Sequence, residues 1–397
     1  MTARFVLALG LLASPLAAQG PDPAPPRMSN FPYLVSTPND GLSLAFRVIR
    51  YRQAAFDARV TNLREHAVDV GYSARKSYFV RGEYRRLWLE QGWRVDGTLE
   101  ASREMRFGES DRPALPDIDS PSLRRTRQQG WLDVTRRVNG PLQLALRGLI
   151  DRQELLGDQT TLFARYPQAS SDGIIVCVTA PCPGFPVDIT QTDAQLRAAL
   201  VLDSRDNEYN PNRGVLAEVG LFTGSGGAGY HGAYGLASGW VSPRRGTRLT
   251  ARYAFRALSS ATAIGIQQEL PAWEAPFTTL GGPHSHRALP VGALVGRGLL
   301  LGGVELRHEL LDFGGLGAIT LLGFVDGGRV FRDPSPLEDP APGSPVPSGK
   351  LRFSFENWTW GAGGGIGLRV LRAAQLNVTA AKARGETRWY VSSGWSW

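Results

Sequence analysis

The chain has 397 residues, with 44 Lys and Arg against 36 Asp and Glu for a formal charge of +8, and it is rich in Gly (47), Trp (10), Tyr (11) and Phe (16). Mean hydropathy is -0.18, and beyond residue 20 no stretch reaches the roughly 20 apolar residues that a membrane helix needs, so helical membrane topology is excluded. A β-barrel is not, because only every second residue of its strands faces lipid while the lumen is polar.

The first residues, MTARFVLALGLLASPLAAQG, carry one positive charge at Arg4, an apolar run from Phe5 to Leu12, a helix-breaking Pro15 and small residues at Ala17 and Ala18. This is the pattern of a secretory signal peptide over 1-18, with an apolar core too short to span a bilayer. Export makes nucleic acid an unsuitable partner for the basic charge. Only Lys76, Lys350 and Lys382 are Lys, and Arg pairs phosphates and carboxylates bidentately. Phosphorylated lipid head groups, including those of lipopolysaccharide, or an arginine-lined lumen are the expected homes for that charge. Residues 19-30, ending GPDPAPPRMSN, form a short Pro-rich lead.

From Phe31 onward strands alternate with turns. In WRVDGTLEASREM, Trp93, Val95, Gly97, Leu99 and Ala101 share one face, opposite Arg94, Asp96, Thr98, Glu100 and Ser102. TRLTARYAFRAL repeats the design, with Leu249, Ala251, Tyr253 and Phe255 opposite Arg248, Thr250, Arg252 and Arg256. Such segments fall at 31-38, 42-52, 66-75, 78-89, 92-104, 127-139, 141-154, 193-204, 214-224, 231-243, 246-258, 299-311, 316-331, 355-372, 374-383 and 387-397. Sixteen is even, as closure with both ends in the periplasm requires. A soluble sandwich also alternates, but strands of this length with polar faces crowded by Arg and Glu favour a barrel. The expected fold is an all-β, transmembrane antiparallel barrel over 31-397.

The connections 105-126, 155-192, 259-298 and 332-354 are long, whereas those near 140, 242-246, 311-315 and 373 are short, as extracellular loops and periplasmic turns should be. Cys177 and Cys182 in CVTAPC are close enough for a small loop disulfide in an oxidising compartment. In the closing TRWYVSSGWSW, Trp389, Val391, Ser393, Trp395 and Trp397 share a face that suits either a sandwich core or a lipid interface.

Three segments, DSRDNEYNPNRG at 203-214, LGGPHSHRALPVG at 280-292 and ELRHELLDFGG...GFVDGGRV at 305-330, together with the closing WGAGGGIGLRV, resemble the barrel of the BamA/TamA-type outer-membrane assembly-factor superfamily, the bacterial surface antigen barrels. The resemblance is good over about 203-397 and loose over 31-202. It implies a loop folded into the lumen, where Arg287 meets carboxylates at Glu305 and Asp326. A guanidinium carries five donors in a planar fork and suits two carboxylates better than Lys would. Ala288 and Leu289 depart from the family's Gly and aromatic residue, and Ser392 stands where Gly is usual. The resemblance also makes the terminal strand, with Trp389, Val391, Trp395 and Trp397, the segment that the barrel assembly machinery reads.

The expected function is insertion, translocation or outer-membrane assembly of polypeptide clients by a multi-pass outer-membrane protein. The alternative is a structural or passive-pore barrel. Family members that capture clients carry periplasmic POTRA modules before the barrel. Here about a dozen residues separate the signal peptide from Phe31, which counts against client capture unless a separate periplasmic partner supplies that role. The five His residues sit outside any G-x-S-x-G or HExxH motif, and the His284 and His286 pair offers only two ligands, so no catalytic, cofactor or metal site is expected.

Overall fold

The computed structural model describes residues 25–37, 40–53, 62–106, 123–158, 186–208, 210–226, 229–259, 269–272, 275–292, 297–313, 317–331, 358–370 and 374–393. The signal peptide, Cys177, Cys182, Trp395 and Trp397 lie outside these residues. The first half contributes β1 (Arg27–Thr37), β2 (Gly41–Gln53), β3 (Asn62–Ser73), β4 (Tyr78–Trp88), β5 (Trp93–Arg106), β6 (Leu123–Asn139), β7 (Leu142–Asp158) and β8 (Pro186–Asp203). β9 (Gly214–Gly224), β10 (Tyr230–Arg244) and β11 (Thr247–Leu258) follow, then a short pair, β12 (Glu269–Ala272) and β13 (Ala275–Thr279). The chain ends with β14 (Gly298–Asp312), β15 (Gly317–Phe331), β16 (Thr359–Val370), β17 (Ala374–Ala383) and β18 (Glu386–Ser393).

Sixteen of these strands close an antiparallel barrel in chain order, with β1 meeting β18, and β12 and β13 form a separate two-stranded sheet. Closure leaves no open sheet edge for lipid to meet. Each of the sixteen expected segments coincides with a barrel strand. The differences are local: β1, β3 and β6 each start four residues early, at Arg27, Asn62 and Leu123, β8 starts at Pro186 rather than at 193, and the β12–β13 hairpin lies within the stretch expected to be a loop at 259-298. Arg27 and Met28 pair with Tyr51 and Arg50 of β2, so tertiary pairing extends the strand into the Pro-rich lead.

Strand periodicity sorts the side chains. On β3, Val68, Val70 and Tyr72 are exposed, while Glu65, Ala67, Asp69 and Ser73 are buried. On β8, Leu196, Leu200 and Leu202 are exposed opposite buried Gln195, Arg197 and Asp203. The inward face is held by charge pairs between strands that are adjacent or one strand apart, which favour the observed register. Arg127 meets Asp151 through two hydrogen bonds of 2.8 Å, and Arg147 bridges Asp133 and Glu218. Register shifts at Arg52/Gln53, Arg137/Asn139, Val241/Arg244 and Glu309/Leu311 all fall at the short-turn end, where barrel rims commonly carry bulges.

Candidate functional site

Among the described residues, the segment 280–292 makes many contacts between a connection and the barrel wall. Gly281 (φ 105°) and Gly282 (φ 113°) take conformations that a side chain would strain, and this permits a tight chain reversal. Ser285 Oγ accepts from Gly281 N at 2.8 Å, and Leu289 N donates to His286 O at 3.1 Å, which closes the loop on itself. The turn thereby presents Arg287 to the wall.

Alternation places Glu305 of β14 and Asp326 of β15 on the inward face, since Val304, Leu306 and Val325 beside them are exposed. Arg287 Nε donates to Asp326 Oδ2 at 2.8 Å and Nη2 donates to Oδ1 at 3.0 Å, a bidentate fork. Its backbone N–H also donates to Asp326 Oδ2, at 3.0 Å, and Nη1 donates to Glu305. The guanidinium lies over the Phe324 ring, 3.4 Å from its centroid. Arg307 pairs with the second oxygen of Glu305, so that carboxylate is shared by two cations. Arg287 and Glu305 are 1 % exposed and Asp326 is 0 % exposed, so neither acid has water to replace a lost partner.

Further contacts pin the same segment. Arg252 of β11 donates to the carbonyls of His284, at 2.8 Å, and Ser285. His286 Nε2 donates to Thr359 O at 2.8 Å, which sets the neutral tautomer, and burial together with the nearby Arg252 cation outweighs Asp326 to push its pKa down. Tyr390 of β18 donates to Leu289 O. Gly361 of β16 is needed for this approach: a Cβ there would sit 2.3 Å from Ala288 Cβ. Leu280, Ala288 and Leu289 join the buried apolar cluster of Leu299, Leu301, Leu322 and Phe324.

The structure therefore brings Arg287, Glu305 and Asp326 together. Trp389 and Val391 lie elsewhere, on the outward face of β18, with Trp389 64 % exposed and Val391 opposite Ser36 and Val378. The inward Tyr390 between them touches the 280–292 segment and was not singled out from sequence, although alternation with Trp389 marks its face. Arg252 and Arg307 were equally missed as partners. The polar faces of their strands were visible, but which inward positions meet the segment was not.

A second ionic junction closes the turn between β8 and β9. Asp206 Oδ1 accepts from Asn212 N at 2.9 Å, and Asn207 Oδ1 accepts from Asn210 N at 2.9 Å, so Asx-type bonds shape the turn. Gly214 has φ 112°, and a Cβ there would meet Ser204 O at 2.4 Å. The turn sends Glu208 back to Arg94 of β5, far away in sequence. Among the described residues no group of three or more His, Cys, Asp or Glu could hold a metal ion.

This geometry can be set beside known proteins. No curated protein matches the chain in sequence. BamA from Haemophilus ducreyi lacking POTRA domains 1-3 superposes with a TM-score of 0.57 at 12% identity, covering 93% of this chain and 70% of that one. CdiB from Escherichia coli gives 0.53 at 12% identity, covering 95% of this chain and 63% of that one. At such identity these likenesses speak for the fold. The model of the Omp85 superfamily domain matches residues 64–377, and by that match the chain belongs to the Omp85 superfamily.

Proposed function

We propose that this outer-membrane barrel assists the insertion or translocation of other polypeptides, and that its β1–β18 seam is the place where clients engage. The observation that carries this reading is the place of the 280–292 segment beside the strand that closes the barrel: Tyr390 of β18 donates to Leu289 O, and its neighbour Val391 pairs with Ser36 of β1. Parting β1 from β18 would open a sheet edge, and an opened edge is a template for an incoming strand.

The 280–292 segment supports the same reading over a passive pore. We read it as a loop folded into the lumen, locked by Arg287, Glu305 and Asp326. Tyr390 couples it directly to β18, next to Val391 at the seam. A separate periplasmic partner would deliver clients to such a seam.

The test is a Ser36→Cys, Val391→Cys double variant as the sole copy of the protein. The two side chains share a face and a register position, so a disulfide can staple the seam. Oxidised cells should lose a subset of outer-membrane proteins from the membrane, and reduction should restore them. An unchanged outer-membrane protein census with the staple verified closed would remove the seam from the mechanism.

A further inference from the structure

Along β7, β8 and β9 the outward face carries Leu144, Leu146, Leu196, Leu200, Val219 and Leu221. The outward face of β2–β4 is different at one end. Arg52 stands opposite Arg64, and Arg64 opposite Arg86, in direct cross-strand register. Arg50 lies one outward position along β2 and faces His66, which in turn faces Tyr84. The same faces expose Leu44, Phe46, Val68, Val70 and Val80, so all four arginines point away from the lumen.

Like charges directly opposite one another in a sheet repel, and three in a row need a counter-charge. None of the described residues supplies a carboxylate to these four side chains. Arg64 Nε donates to His66 Nε2 at 3.0 Å, and Arg86 lies 4.4 Å from the Trp88 ring centroid. Both contacts orient a guanidinium without neutralising it.

Depth and side follow from the neighbours. Trp88 and Trp93 face each other at this end, with Arg136 lying 4.7 Å over Trp93, and interfacial Trp residues mark head-group level. The connections at this end, such as 89–92, 140–141 and 245–246, are short, as periplasmic turns are. With strands about 4.8 Å apart and about 3.3 Å per residue, the four arginines share a patch about 10 Å across.

We propose that Arg50, Arg52, Arg64 and Arg86 form a binding site for the phosphate head group of an anionic glycerophospholipid in the periplasmic leaflet. Guanidinium forks match phosphate oxygens bidentately, and their charge supplies what the cross-strand ladder lacks. The exposed Val68, Val70 and Val80 beyond the patch offer an apolar surface for the acyl chains.

The full-length protein in detergent is titrated with phosphatidylglycerol and with phosphatidylcholine, and retained lipid is counted by native mass spectrometry. Wild type should retain phosphatidylglycerol in preference to phosphatidylcholine, and retention should fall as salt rises. Changing all four arginines to Gln should weaken phosphatidylglycerol retention about tenfold or more, while Arg103→Gln with Arg124→Gln at the other rim should leave it unchanged. An all-Lys version should keep part of the binding, and it separates lost charge from lost folding. Equal retention by the Gln variant and wild type would overturn the site. So would a wild type that prefers a bisphosphorylated lipid A, or that ignores salt. The readout is independent of client insertion, so it stands or falls apart from the seam.

Discussion

Arg47 of β2 and Arg287 of the 280–292 segment each hold more than one carboxylate, but they do so under different access to water. Arg47 reaches Asp69 at 2.7 Å, Glu65 at 2.9 Å and Glu83 at 2.8 Å, with its own side chain 22 % exposed and that of Glu83 29 % exposed. For Arg287, Glu305 and Asp326 the corresponding side-chain exposures are 2 %, 1 % and 0 %. Arg47 ties β2 to β3 and β4 within one wall, where the β2–β3 and β3–β4 ladders already hold the three strands in place. Arg287 ties a connection to a wall with which it has no ladder. The same chemistry is redundant in one region and decisive in the other.

Removing the decisive cation should have the largest effect. Arg287→Ala leaves two carboxylates buried without their main partner, a change that costs about 3–5 kcal/mol at a buried pair. Denaturant unfolding in detergent should show this loss, and limited proteolysis should cut within 280–292. An unchanged digest would mean that the remaining contacts from Arg252, His286 and Tyr390 hold the segment unaided.

Gly361→Val tests the same junction by shape alone. Its new side chain collides with Ala288, so the segment or β16 must shift, at a cost of about 1–3 kcal/mol. The digest pattern of Arg287→Ala should reappear in weaker form. If stability fell while the segment stayed protected, β16 would be the element that yields.

Arg47→Ala should have the smallest effect, about 1 kcal/mol, because each acid it leaves keeps another partner: Tyr33 donates to Asp69, Asn62 donates to Glu65, and Arg81 lies 3.9 Å from Glu83. Urea midpoints of this variant and of Arg287→Ala, compared under one condition, measure the contrast directly. Equal losses would erase the distinction between the two walls.

Much of the barrel was legible in the sequence because its physics is local. Alternation in TRLTARYAFRAL and WRVDGTLEASREM names the inward and outward residues of β11 and β5 without any knowledge of partners. The β12–β13 hairpin was not legible, because its strands are four and five residues long and carry no sustained period. Arg287, Glu305 and Asp326 were marked by resemblance to a family. Periodicity alone gives no reason to prefer Arg287 over other loop arginines. Arg252, Tyr390 and Gly361 became visible as its companions only once the segment had a position. The Arg52, Arg64 and Arg86 row was hidden for the same reason, since each arginine is unremarkable on its own strand and the row exists only in register.

What the sequence by itself determined is the two-sided character of the barrel strands and their number. Side-chain direction repeats every two residues, and that period needs no tertiary information. What only the tertiary structure decided is which inward charges meet and which outward charges line up. Strand register and the path of one connection bring residues far apart in the chain to within hydrogen-bond reach, and neither quantity is encoded within any single segment.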